Sequence, residues 1–231
     1  MKRRTVIKLL IGLAINKPDL RFLTSLSTLL SELGKKPEHY RVEVLEIKDK
    51  QLVEAQNLIA EHFINNDFDY LLFFENDNWG FNLQYLKALL RLNTSVASMH
   101  YHSRHFPYYS CLMRVLNPDS PSEKFVGYTD TSGSHEVDMS GFGMMLIKKQ
   151  VFNRLSKPFF RINEYGGPGC YATDQAFSED LLKIGIKPVG CFDYCLGHRD
   201  VTPENVMELR IQGIKNFQGQ MLRDKLMGGG E

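Results

Sequence analysis

Apolar positions along this chain keep two alternating rhythms, and their alternation predicts the architecture. Thr5 to Ile15 is nearly continuous apolar sequence, a buried strand closed by the turn Asn16-Lys17-Pro18-Asp19. Phe22, Leu23, Leu26, Leu29, Leu30 and Leu33 then fall at helical spacing, with Asp19 as cap and Gly34 as a left-handed stop. Tyr40 to Ile47 alternates as a second strand, and Gln51 to Phe63 carries Leu52, Ala55, Leu58, Ile59 and His62 on one helical face. Tyr70 to Phe74 is apolar on both faces, as a buried parallel strand is. Strand, helix, strand, helix, strand is the order of a parallel sheet with right-handed crossovers.

The second half is less regular. Asn82 to Leu92 reads as a helix and Val96 to Tyr101 as a strand. Tyr108 to Val115 and Lys124 to Tyr128 read as an antiparallel pair around the turn cluster Asn117 to Ser122, followed by a polar loop from Thr129 to Gly133. Val137 to Lys148 reads as one strand whose small residues, Ser140, Gly141 and Gly143, predict that something approaches the backbone closely. Gln150 to Leu155 is a short helix. Asn163 to Ala172, with Gly166-Gly167-Pro168-Gly169, is a candidate lid. Thr173 is placed to cap a helix to Ile184, and Pro188 to Tyr194 is the last strand. Thr202-Pro203-Glu204 opens a terminal helix. Its stripe of Val206, Leu209, Ile214, Phe217 and Met221 would dock on the body or on another subunit, making a homo-oligomer.

Composition narrows this picture. The 231 residues fit an α/β domain with a substantial core, and 28 Lys and Arg against 27 Asp and Glu create no field for nucleic acid. Four cysteines do not make a disulfide scaffold, so a reduced cytoplasmic setting is the expectation. Met1-Lys2-Arg3-Arg4 before an apolar run imitates a signal peptide, but Lys8 interrupts the run and no small-x-small cleavage site follows. No apolar run reaches the roughly 20 residues of a membrane span.

The chemistry concentrates where the third strand stops, at Glu75-Asn76-Asp77. Ligands of open α/β sheets bind beyond the carboxyl ends of strands. Two acids there repel each other and invite a cation; oxygen ligands favour Mg²⁺ or Mn²⁺, which keep positions open for substrate phosphates. Asn16 and Asp49, just beyond the first two strands, stand where a nucleoside would rest.

Three segments together resemble a glycosyltransferase of the GT-A fold, of the family-2-like kind. Ala55-Gln56-Asn57 followed by Asp69 to Asp77 is similar to that family's Ala-Arg-Asn helix and strand-borne Asp-x-Asp. Val137 to Phe152 resembles its small-residue strand leading into a helix. Thr173-Asp174-Gln-Ala-Phe177 and the later His198 look like its acidic helix start and late histidine. Glu75 stands where Asp is usual, Gln56 where Arg is common, and Thr173 where an acid often precedes the base.

The resemblance implies an α/β fold with a Rossmann-like, mixed but mainly parallel central sheet flanked by helices, in a single domain over 1–231. Its nucleotide-binding half would be 1–101 and its acceptor half 102–200, with a C-terminal helix over 201–227. It also implies a divalent metal, Mn²⁺ or Mg²⁺, on Asp77 and His198 with Glu75, and a nucleotide-diphospho-sugar donor. Asp174 would be the base; Gln56, Asn57, Asn76 and Arg199 would meet the nucleotide; Asn78, Trp79, Ser140 and Gly141 would face donor sugar or acceptor. A nucleotidyltransferase and a non-catalytic nucleotide- or carbohydrate-binding module are the rival readings. Two other clusters have metal-ligand chemistry: Cys191, Cys195 and His198 with Cys170, as structural zinc, and His100, His102 and His105. For the second, with Arg104 available to phosphate, a role lining the site is the expectation.

Overall fold

The computed structural model describes residues 6–15, 17–104, 108–117, 125–128, 132–164 and 171–227. Its elements are, in order, β1 (Ile7–Ala14), α1 (Leu20–Gly34), β2 (Tyr40–Ile47), α2 (Leu52–Asn65), β3 (Tyr70–Phe74), β4 (Asn78–Trp79) and α3 (Leu83–Leu92). There follow β5 (Val96–Tyr101), β6 (Leu112–Val115), β7 (Phe125–Gly127), β8 (Ser134–Glu136), β9 (Met139–Ser140), β10 (Met144–Lys148) and α4 (Lys149–Phe152). The chain closes with β11 (Asn163–Glu164), β12 (Tyr171–Ala172), α5 (Thr173–Lys183), β13 (Val189–His198) and α6 (Val206–Met227).

The main sheet runs β2-β1-β3-β10-β5-β13-β4, with β8 also on β13. It is mixed. β1 pairs β2 and β3 in parallel and β5 pairs β13 in parallel, whereas β10 lies antiparallel between β3 and β5, and β4 and β8 are antiparallel to β13. The three strands of the first five elements pair in parallel as expected, and the sheet turns antiparallel at β10. β1, β3, β5 and β13 nonetheless point the same way, so Ala14, Glu75, Tyr101 and His198 emerge at one edge.

Burial explains the layering. Along β3, Leu72 and Phe74 pack with Phe22, Leu26 and Leu29 of α1 and Leu86 and Leu89 of α3. Leu71 and Phe73 pack on the other face with Ile59 and Phe63 of α2, Phe152 of α4 and Phe177 of α5. Each such buried side chain contributes about 1.5–3 kcal/mol relative to exposure. Five phenylalanines, Phe73, Phe142, Phe152, Phe160 and Phe177, form an edge-to-face and stacked cluster, with Phe160 and Phe177 at 4.9 Å. That cluster anchors the start of α5 beside the loop before β10.

Several local expectations are corrected. Gly34 is the last helical residue of α1 and is not left-handed. In α2 the buried face is Ala55, Gln56, Ile59, Ala60 and Phe63, while Leu52 and Leu58 are exposed. The segment from Val137 to Lys148 is two strands, broken at 141–143 where both glycines lie against the Tyr101 ring. α5 begins after Ala172, without a side-chain cap from Thr173. In the terminal helix Val206 is buried, but Ile214 is exposed together with Met207 and Ile211. The glycine-rich segment 166–169, most of the turn cluster at 117–122 and most of the loop at 129–133 lie outside the described residues. Among the described residues, no helix is long and apolar enough to cross a membrane.

Candidate functional site

At the carboxyl edge of β3, β5 and β13 lies a cavity of about 380 Å³. Its polar lining comes from Gln56, Glu75, Asn76, Asp77, Arg104, Asp174, His198 and Arg199, with Tyr101 and Phe142 among the aromatic walls.

Asp77 is the most heavily engaged group. Its Oδ2 accepts from Arg104 Nη1 at 3.1 Å and from Arg199 Nε at 3.2 Å, and its Oδ1 lies 3.5 Å from His198 Nε2. Burial pushes its pKa up, but the hydrogen bond and charge of His198 and the two guanidinium charges outweigh that and hold it below the usual carboxylate value. Arg199 also donates its backbone N–H to the Asp77 carbonyl, from a left-handed backbone conformation at φ 50°. Such a conformation in a residue with a side chain is uncommon and costs energy unless its surroundings impose it.

His198 is oriented from behind: Nδ1 lies 2.8 Å from the carbonyl oxygen of His102. A carbonyl only accepts, so Nδ1 carries the hydrogen. In the neutral ring, Nε2 then turns a lone pair toward the Asp77 carboxylate. A proton on Nε2 makes the hydrogen bond to Asp77 described above, and a metal would take that same position between the two side chains.

Glu75 is different. Its Oε2 accepts from the Tyr101 hydroxyl at 3.2 Å. Burial, followed by the charges of Asp174 and Asp77, pushes its pKa up to about 7. Ligand atoms of Glu75, Asp77 and His198 all lie within 4.8 Å of one another. Two carboxylate oxygens and an imidazole suit Mn²⁺, and Mg²⁺ less closely because of the nitrogen.

Asp174 faces this group from the first turn of α5, where its Oδ1 accepts the Gln175 N–H at 2.9 Å. Burial raises its pKa and outweighs that backbone hydrogen bond. A helix first turn favours the ionised carboxylate, and here burial outweighs the backbone hydrogen bonds that act in that direction. Cys111 also lines the cavity, but burial and the charges of Glu75 and Asp174 push its thiol well above its ordinary value, so it is no nucleophile.

Glu75, Asn76, Asp77, Gln56, Asp174, His198 and Arg199 thus come together. The other expected residues that the structure describes are not among those lining the cavity. Asn57 clamps Phe160, its amide donating to the carbonyl at 2.8 Å and its oxygen accepting the N–H at 3.1 Å. Asn78 is buried against the Gly197 carbonyl at 3.4 Å. Trp79 covers Gly197, donates to the Arg199 carbonyl at 3.1 Å and receives the Arg21 guanidinium on its ring face. Ser140 is buried, and Gly141 lies under the Tyr101 hydroxyl, where a Cβ would sit only 1.9 Å away. The group that approaches that backbone is therefore Tyr101, not a ligand. Asp49 is exposed in the left-handed turn after β2, and Asn16 lies outside the described residues.

Tyr101 is the site residue that pattern reasoning leaves unassigned. Its one signal in the sequence is position: it is the last residue of β5, so its hydroxyl emerges at the same edge as the acids. Arg104 follows three residues later and meets Asp77 rather than standing free for phosphate. The alternative zinc grouping of Cys191, Cys195 and His198 does not form among the described residues, because His198 belongs to the acid group and Cys195 turns toward His100 and His102. Cys170 and His105, the remaining members of the two expected clusters, lie outside the described residues.

No family model matches the chain, and no curated relative matches it. Among solved structures, the crystal structure of A197 from STIV is similar with a TM-score of 0.57 at 13% identity, covering 84% of this chain and 85% of that one. At such low identity the likeness carries the α/β fold and nothing finer.

Proposed function

We propose that this chain is a GT-A-like glycosyltransferase that moves a sugar from a nucleotide-diphospho-sugar to an acceptor hydroxyl, assisted by Mn²⁺ or Mg²⁺ at Glu75-Asn76-Asp77. The observation that carries this reading is the convergence of Glu75, Asp77 and His198 on one side of a cavity whose lining also includes Asp174. Glu75, Asp77 and His198 would hold the metal, which when bound supplies a Lewis acid for the leaving diphosphate.

The protein's own residues supply the rest. Arg104 and Arg199, both held on Asp77, are positioned to turn toward phosphate oxygens once that carboxylate has another partner. Gln56 is buried on the cavity wall with its Oε1 unpartnered, an acceptor ready for a donor N–H or hydroxyl. Asp174, its proton affinity raised by burial, takes the acceptor hydroxyl proton as that oxygen attacks the anomeric carbon. Attack from the face opposite the leaving diphosphate would invert that carbon.

A thermal-shift panel of UDP-, GDP-, CMP- and dTDP-sugars with and without Mn²⁺ tests the reading. A donor at a hundred times its Kd adds about 2.7 kcal/mol of stability. A Mn²⁺-dependent shift with one nucleotide class is expected. No such shift with any donor overturns the reading, and a shift without transfer or hydrolysis favours a binding module.

A further inference from the structure

We propose that His100, His102 and Cys195 form a second metal centre, separate from the acid group, that takes zinc. The placement begins with strand pairing. His100 and His102, two apart, project from the same face where β5 ends, with their rings 4.6 Å apart. β13 runs in register with β5 as far as Cys191 opposite Met99, and then Cys195, not Phe192, stands opposite His100. Three residues, Phe192 to Tyr194, are looped out of the pairing. A bulge of this kind re-aims a side chain, and here it delivers the thiol to the two imidazoles.

The distances fit the ion. Cys195 Sγ lies 3.7 Å from His102 Nδ1, and the three ligand atoms are all within 4.8 Å of one another. Zinc bonds of about 2.3 Å to sulfur and about 2.0–2.1 Å to nitrogen, at a tetrahedral angle, separate the two atoms by about 3.6 Å. The donor set is also selective. A thiolate with two imidazoles suits zinc and is a poor cage for Mn²⁺ or Mg²⁺, whereas the acid group has the opposite preference. Two clusters on neighbouring strands would thus sort two metals by ligand chemistry.

His100 is buried, while His102 and Cys195 are partly exposed, leaving a fourth position to solvent. Nearby charges are balanced in sign: Arg210 acts on both histidines and Glu204 on Cys195. The centre also reaches the first site through the chain, since the His102 carbonyl accepts the His198 Nδ1 hydrogen. A zinc ion tying His102 to β13 would hold that carbonyl in place, a positioning role and not a catalytic one.

The test is independent of sugar transfer. Full-length protein is loaded with zinc, dialysed against excess Mn²⁺ and analysed for bound metal; a parallel sample is reconstituted with Co²⁺ and its absorption spectrum recorded. Retention of one zinc per chain and a thiolate-to-cobalt charge-transfer band are expected, with both lost in Cys195→Ser and both kept in Asp77→Asn. Should Cys195→Ser fail to fold, His102→Gln and release of zinc from the unaltered protein by an organomercurial carry the same comparison. Absence of the charge-transfer band in the unaltered protein, or zinc that survives Cys195→Ser but not Asp77→Asn, overturns the proposal.

Discussion

The hydrogen bond from His198 Nδ1 to the His102 carbonyl, at 2.8 Å, decides which nitrogen faces Asp77. With the hydrogen fixed on Nδ1, only Nε2 is free to bind a metal, and it points at a carboxylate 3.5 Å away. The same carboxylate restrains Arg104 and Arg199. Asp77 is therefore the point at which three cationic or ligating side chains compete.

Asp77→Asn follows directly from that competition. In Mn²⁺ the variant should lose turnover by roughly 10²–10³-fold, the scale of several kcal/mol of Lewis-acid assistance. In EDTA the variant should instead bind nucleotide more tightly than the unaltered protein, because both guanidinium groups lose their Asp77 partner and become available to a diphosphate. Isothermal titration with UDP or GDP under both conditions checks the pair; weaker binding in both would show that the arginines do not reach phosphate.

Glu75 sets a pH dependence. Its folded pKa of about 7 lies above the ordinary 4.5, so the folded protein binds more protons than the unfolded chain between those values. Stability from this group is present below about pH 4.5 and declines as pH rises through about 7. Asp174, also raised by burial, adds to the same trend. Glu75→Gln should flatten the metal-free Tm profile across that window and raise Tm at pH 8 by roughly 2–4 °C per kcal/mol recovered. Metal affinity in the unaltered protein should rise through the same window, because the ligand must first lose its proton.

Gly141 is the contact that admits Tyr101. A Cβ there would stand 1.9 Å from the hydroxyl and 2.8 Å from the ring carbon bearing it. Gly141→Ala should destabilise by about 1–3 kcal/mol, the usual cost of overpacking. Adding Tyr101→Phe removes the closest clash, so the double variant should be more stable than the sum of the two single changes. Urea denaturation of the four proteins measures the coupling; additivity would mean that Tyr101 moves aside freely.

What pattern can and cannot disclose follows from these contacts. Tyr40–Ile47 is legible as a strand by its alternation of apolar and charged residues, and Val96–Tyr101 as a short, largely apolar run of strand length. The face of α2 is obscured because its buried side includes Ala55, Gln56 and Ala60, small or polar residues that carry little hydrophobic signal. The carboxylates Glu75 and Asp77 stand out from the apolar strand before them, but Tyr101 looks like ordinary core until Gly141 is placed beneath it. The meeting of Cys195 with His102 spans 93 residues and depends on a bulge, which no local spacing encodes.

Asn57 separates a scaffold role from a nucleotide contact. Its side chain makes two hydrogen bonds to Phe160 and one to the Val53 carbonyl at 2.9 Å. Asn57→Ala should destabilise by about 1–3 kcal/mol through the unsatisfied Phe160 backbone groups. Gln56→Ala, one residue earlier but on the cavity wall, should leave stability nearly unchanged and weaken nucleotide binding. Thermal melts and nucleotide titrations on both variants decide whether the two adjacent amides divide these roles.

Asp174 provides the sharpest kinetic expectation. A carboxylate whose proton affinity is raised by burial is a better base than its place in a helix first turn suggests, and the backbone hydrogen bond from Gln175 fixes its direction. Asp174→Asn keeps that size and orientation and removes the negative charge together with the capacity to take a proton. Turnover should fall by roughly 10²–10⁴-fold. Donor binding, read by thermal shift in Mn²⁺, should be unchanged or slightly stronger, since a negative charge near the diphosphate is gone. At saturating Mn²⁺, where metal binding no longer waits on the Glu75 proton, the acidic limb of the kcat/KM profile should also be lost, because it then reports Asp174 in its ionised form. A variant that lost donor binding in proportion to turnover would make Asp174 a binding residue, and the base would have to be sought elsewhere in the cavity, with Glu75 the carboxylate next in reach.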